Sequence, residues 1–223
     1  VEEAGGVFHP DVVRTPSLPG QSLSLKENTS SSGTFGGFFA ITLPGIAEPK
    51  VVGVTCFHVI NPTENGKGDN VKAIIRTWRQ QGINPDGDNM AKHLTVFHPS
   101  SRAIKENTQF LKKEIEKLQT PQYKLCQDLL GCGQKLRKGD EIVYLQAKKQ
   151  ISDSEALLSD IQDFDPRFGR VWAASGFRIA QAPSINSGAN RLPTNYDWAL
   201  IEVPRERVGR NTVSLAAERF VLC

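Results

Sequence analysis

Residues 51–60, Val-Val-Gly-Val-Thr-Cys-Phe-His-Val-Ile, form a β-branched apolar run that carries one histidine, His58, near its end. β-branched side chains favour a pleated strand, so the run predicts a buried strand ending at His58. Upstream, Phe35, Phe38, Phe39 and Ile41 mark a second strand-like run, and the Gly36-Gly37 pair inside it predicts a bulge or a close backbone approach. Leu43-Pro44-Gly45 between the two is a turn signal. Residues 34–60 therefore read as an antiparallel hairpin. Val71–Trp78 alternates and reads as a strand between loops at 61–70 and 80–89, the second turning at Asn84-Pro85-Asp86-Gly87. Leu94–Phe97 is a short strand stopped by Pro99.

The pattern changes at 101–162. Ile104, Thr108, Leu111, Ile115 and Leu118 recur at helical spacing, with lysines and a glutamate on the other face. Pro121 ends that helix, and Tyr123–Leu130 continues as a second one closed by Gly131. Ile142–Leu145 suits strand or helix. Ser152, with Glu155 three residues on, caps a helix over 152–161. Strand signals resume at Arg170–Ala174 and Phe177–Ala180. A polar loop follows at 181–195, then a strand at Tyr196–Val203 and a weak signal at Val213–Leu215. Residues 1–32, with Pro10, Pro16 and Pro19, read as an extended arm. The expected layout is an arm at 1–32, a β domain from 33–100 and 163–223, and a helical insertion at 101–162.

Composition narrows the function classes. Hydrophobic residues at 39% and charged residues at 23% are globular values. A net charge of +3, with acids and bases interleaved, gives no one-sided basic face, so no nucleic-acid partner is expected. No run of about 18 apolar residues occurs, so no membrane partner is expected either. The four cysteines, Cys56, Cys126, Cys132 and Cys223, show no diagnostic spacing. Reduced thiols and a cytoplasmic location are the expectation, against which the sequon Asn28-Thr29-Ser30 points to secretion. Cys56, inside the apolar run, is expected to pack as a small hydrophobe. His93, His98, Cys126 and Cys132 lack the spacing of standard zinc modules, and no metal or cofactor is expected.

His58 reads either as a satisfied core histidine or as a proton-transfer group, since its ordinary pKa lies near neutrality. Asp197 opens the apolar run Trp-Ala-Leu-Ile. It reads either as a turn cap or as a carboxylate placed to fix a histidine tautomer. Taken with Gly33-Thr-Phe-Gly-Gly-Phe, Val54-Thr-Cys-Phe-His58-Val-Ile and Tyr196-Asp197-Trp-Ala-Leu-Ile, the chain resembles the trypsin-like (chymotrypsin-fold) serine peptidases. The nearest resemblance is to the divergent trypsin-like domains of fungal intracellular proteins, which Ala173–Arg178 and Pro99-Ser100 also resemble.

That resemblance implies a mainly β fold: a six-stranded antiparallel β-barrel, the first barrel of the chymotrypsin fold, interrupted by the helical insertion. It implies His58 as general base and Asp197 as its orienting acid. It also implies a protein or peptide substrate. The family's Gly-Asp-Ser-Gly motif does not follow Asp197, after which the sole serine is Ser214. The nucleophile is therefore expected on a C-terminal half of the peptidase, in the same chain or as a cleaved fragment. An exposed apolar patch is expected where that half would pack. The alternative from the same residues is a non-catalytic pseudoprotease that binds a protein partner.

Overall fold

The computed structural model describes residues 16–30, 32–45, 48–85, 89–181 and 193–212. The chain divides into two compact units. Among the described residues, one contains 104–165, and the other those of 16–103 with 166–212.

The larger unit is built on one antiparallel sheet. Its strands are β1 (Ser22–Leu25), β2 (Gly33–Thr34), β3 (Gly37–Ile41), β4 (Lys50–Thr55), β5 (Thr95–Phe97), β6 (Arg167–Ala174) and, beyond a separate two-stranded hairpin of β7 (Arg178–Gln181) and β8 (Pro193–Tyr196), β9 (Ala199–Glu202). The order across the sheet is β2-β1-β5-β6-β9-β4-β3. Its two ends are neighbours in sequence. The Phe35 N–H donates to Gln21 O at 2.9 Å on the β1 side, and the Gly36 N–H donates to Val54 O at 2.8 Å on the β4 side. One stretch of chain thus serves both ends of the sheet, which curls into a barrel-like form. Gly37, at φ +137°, makes the change of partner possible, as the glycine pair suggested.

The concave face holds the core. Phe35, Phe168 and His98 are fully buried and meet edge-on or tilted, with centroids 5.0 Å (Phe35–Phe168), 5.2 Å (His98–Phe168) and 5.9 Å (Phe35–His98) apart. Leu23, Leu25, Val52, Val96, Val171 and Ile201 pack the same interior. The Arg207 guanidinium donates to His98 O at 2.7 Å. Burial, and then the charge of Arg207, lower the pKa of His98 to about 4, so it is a neutral core side chain.

Several expectations need correction. Helix outweighs strand, so the chain is mixed α and β rather than mainly β. Residues 16–32 are not an arm: β1 lies inside the sheet between β2 and β5, with Leu23 and Leu25 fully buried. Residues 1–15 lie outside the described residues, as does Val213–Leu215. The segment read as a strand at Val71–Trp78 is helix α2 (Asp69–Gln81), once a single turn, α1 (Phe57–Ile60), is counted first. Val71, Ile74, Ile75 and Trp78 lie at i, i+3, i+4 and i+7, one helical face, and that period outweighs the loose alternation.

The smaller unit is made of α3 (Ser101–Leu118) from Ile104 onward, α4 (Pro121–Gly131) and α5 (Lys138–Asp163). Pro121 stands at the start of α4, whose N-cap Thr120 accepts from Tyr123 N at 3.1 Å. The helix α5 runs unbroken for 26 residues through Ile142–Leu145 and past Ser152, which is mid-helix and caps nothing. Leu111, Cys126, Tyr144, Ile151 and Ile161 are its buried side chains.

The pairing of β6 with β9 leaves no room at Gly169, where an added Cβ would stand 2.2 Å from Glu202 O. Gly169→Ala is expected to destabilise the β unit by about 1–3 kcal/mol through overpacking. All three tryptophans, Trp78, Trp172 and Trp198, lie in this unit, so urea unfolding followed by tryptophan fluorescence reads it directly. Gly139→Ala, in open space within α5, should leave that transition unchanged.

Candidate active site

The strand β4 ends at Thr55, whose hydroxyl donates to Thr34 O at 2.9 Å. The next residues do not continue the strand. Phe57, Val59 and Ile60 are buried and fold the chain into α1, which leaves His58 as its one exposed residue. The apolar neighbours thus anchor the turn and project the imidazole outward. Gly33 permits this seat, since a Cβ there would lie 2.1 Å from Val59 Cγ2. Beyond α1, Arg79 on α2 holds the chain through Asn61 Oδ1 (3.0 Å) and Pro62 O (3.1 Å), and through an ion pair with Glu64.

Asp197 lies in the two-residue link between β8 and β9. Ser175, fully buried at the end of β6, clamps that link. Its N–H donates to Trp198 O at 2.9 Å and its Oγ accepts from Trp198 N at 2.9 Å. Because Thr55 pairs with Ala199 in the β4–β9 register, the segments after β4 and before β9 meet at one end of the sheet.

There the two residues singled out in the sequence come together. His58 Nδ1 stands 2.6 Å from Asp197 Oδ2, and the His58 backbone N–H donates to Asp197 Oδ1 at 2.9 Å. The carboxylate accepts from Nδ1, which leaves Nε2 as the basic nitrogen. Partial burial pushes the Asp197 carboxyl up. The hydrogen bond from the His58 side chain, those from the backbone of His58 and Phe57, and the charge of His58 outweigh it and hold the pKa below the ordinary carboxylate value. Both side chains remain open to solvent, His58 by 59% and Asp197 by 36%.

Cys56 was expected to pack as a small hydrophobe in the strand. It is instead an exposed thiol beside this pair. Partial burial, and then the negative charge of Asp197, raise its pKa. The strand ends at Thr55, three residues before the His58 end that the apolar pattern suggested, and that frees Cys56 from the core. Cys56, His58 and Asp197 are the one group of three or more potential metal ligands among the described residues; His93, His98, Cys126 and Cys132 form none. Sequence reasoning gave no place at the site to Cys56, which lies beside the pair, or to Ser175, which holds the Asp197-Trp198 link. The signal for Cys56 was its place two residues before His58 and that for Ser175 the Ser-Gly turn closing β6. Phe177, just before β7, Ile179 on β7 and Trp198, in the β8–β9 link beside Asp197, are exposed apolar side chains, and the Phe177 ring edges onto Phe57, next to His58, at 4.9 Å.

Comparison with protein-family models, curated proteins and solved structures finds no match to this chain.

A carboxyl group whose pKa is depressed by folding contributes stability above its unfolded value of about 3.9, and loses it as pH falls through the folded value. In His58→Ala the ring is gone while the backbone N–H stays. Asp197 is then expected to titrate nearer to about 3.9 when followed by carboxyl ¹³C NMR. The stability difference between wild type and variant should shrink as pH drops below about 4, and, for so exposed a pair, it should amount to no more than about 1 kcal/mol. Identical titration in both proteins would show that the ring does not hold the carboxylate.

Proposed function

We propose that the β unit is the base-and-acid half of a trypsin-like serine endopeptidase. The observation that carries the reading is the 2.6 Å contact between His58 Nδ1 and Asp197 Oδ2, with Oδ1 anchored on the His58 N–H. His58 Nε2 would take the proton of a serine hydroxyl as it attacks a peptide carbonyl, and return it to the leaving amine. Asp197 fixes the tautomer and stabilises the imidazolium. The serine and the donors that stabilise the oxyanion come from a C-terminal half of the peptidase, carried on the same chain or a cleaved fragment. The exposed apolar residues Phe177, Ile179 and Trp198 suit an apposed protein surface at that place. A cytoplasmic setting is proposed with it, which suits the free thiols of Cys56, Cys126 and Cys132. No helix among the described residues is long and apolar enough to cross a membrane.

The second reading is a pseudoprotease that binds a protein partner. The exposed Phe177 and Trp198 side chains suit a bound partner equally well.

Peptide hydrolysis by the native full-length protein separates the two. Under the first reading a fluorophosphonate labels one serine and abolishes turnover, and Asp197→Asn lowers kcat by about 10⁴-fold, as expected when the tautomer is no longer fixed. His58→Ala should cost at least as much. Hydrolysis that survives His58→Ala unchanged overturns the base assignment. An intact native protein with neither labelling nor turnover supports the pseudoprotease.

A further inference from the structure

The catalytic reading uses two of three donors gathered at the end of β4. The third is the exposed Cys56 thiol, which no step of peptide hydrolysis requires. Cys56 Sγ, a His58 ring nitrogen and an Asp197 carboxylate oxygen all lie within 4.8 Å of one another. We propose that Cys56, His58 and Asp197 form a binding site for a thiophilic divalent cation, zinc foremost, and that its occupation silences the His58–Asp197 pair.

The distances suit the ion. Zinc binds sulfur at about 2.3 Å and nitrogen or oxygen at about 2.0–2.2 Å, in a tetrahedral shell. Such a shell spaces its ligand atoms by roughly 3.3–3.7 Å, as follows from those bond lengths. The His58–Asp197 contact of 2.6 Å must open slightly, and the sulfur must close in by up to about 1 Å on the same geometry. Both shifts are within side-chain rotation at exposed positions. The scaffold is already set. Asp197 is held by the His58 N–H through Oδ1 and turns Oδ2 to the ring. The register of β4 against β9 fixes the two segments at one end of the sheet. Thiolate, imidazole and carboxylate together select zinc over magnesium or calcium, which take oxygen ligands. Water fills the fourth position.

On binding, the metal takes the place of the Cys56 thiol proton, which passes to solvent, and binds Nδ1 of the neutral imidazole, whose single proton moves to Nε2. Protons compete with the metal for the thiolate and the imidazole, so affinity falls with falling pH. The ion then occupies the contact that orients the imidazole. Only this inhibitory consequence rests on the peptidase reading; the site itself does not.

The test is metal binding by the full-length reduced protein, with no hydrolysis read. Cobalt should give tetrahedral d–d bands with a thiolate-to-cobalt charge-transfer band, and zinc should be taken from a chromophoric chelator. Cys56→Ala should abolish the charge-transfer band and lower zinc affinity by more than about 100-fold, beyond the loss usual for an outer-shell partner. Asp197→Asn should weaken zinc binding while keeping the band. Cys132→Ala, which removes another exposed thiol, should change neither. An unchanged band and affinity in Cys56→Ala overturns the site, as does failure of the wild-type protein to compete with the chelator. A chain with no peptidase activity would leave either result intact, so the two readings fail separately.

Discussion

The antiparallel register of β4 on β9, Thr55 opposite Ala199, is the constraint on which the site depends. It brings the C-terminal end of one strand against the N-terminal end of another, so that Cys56–His58 and Asp197–Trp198 leave the sheet at the same place. A shift by one residue would turn every side chain of the strand to the other face. The alternation of buried and half-buried residues along β9, with Ala199 and Ile201 inward, fixes the register against that slip. The position of the His58–Asp197 pair is thus inherited from core packing and does not rely on the pair's own attraction.

That order of cause matters for the functional reading. An ion pair open to solvent by a third or more on each partner adds little to stability, with a median near 0–1 kcal/mol. Yet several local features converge on this one: three apolar anchors in α1, a buried serine clamp on Trp198, and a backbone N–H on the second carboxylate oxygen. A contact of slight energetic worth held by so much scaffold is better explained by chemistry than by folding. The same scaffold keeps a solvent-facing thiol beside the pair, which no requirement of packing explains.

What was legible in the sequence followed the strength of each local signal. The hairpin of β3 and β4, the short β5 and the apolar centre of β9 were readable, because β-branched runs and turn residues agree there. The strand expected at 196–203 is instead divided by the Asp197-Trp198 link, with Tyr196 on β8, and the pairing of His58 with Asp197 was an expectation from the resemblance. The turn α1 was not, because Val59 and Ile60 extend a β-branched run and only packing around Phe57 bends it. The helix α2 was missed because alternation over eight residues overlaps the helical period. Continuity of α5 was obscured by Ile142 and Val143, weak helix formers that its length outweighs. The barrel-like closure through Phe35 and Gly36 was hinted at by the paired glycines, but the identity of the strands on either side depends on contacts far apart in sequence.

The wide separation of His58 from Asp197, 139 positions, follows from where the helices enter the sheet. β5 and β6 are antiparallel neighbours with Phe97 opposite Arg167, and the His98 N–H donates to Pro166 O at 2.8 Å. The chain therefore leaves the sheet and returns to it across one strand spacing. A connection whose ends already meet can lengthen at small cost, since closure entropy grows only with the logarithm of loop length, about 0.6 kcal/mol per doubling. The helical segment also buries side chains of its own, which offsets that cost further. An insertion there leaves the β4–β9 register untouched, and so the spacing that sets this chain apart from a compact peptidase barrel is not evidence against the pair it separates.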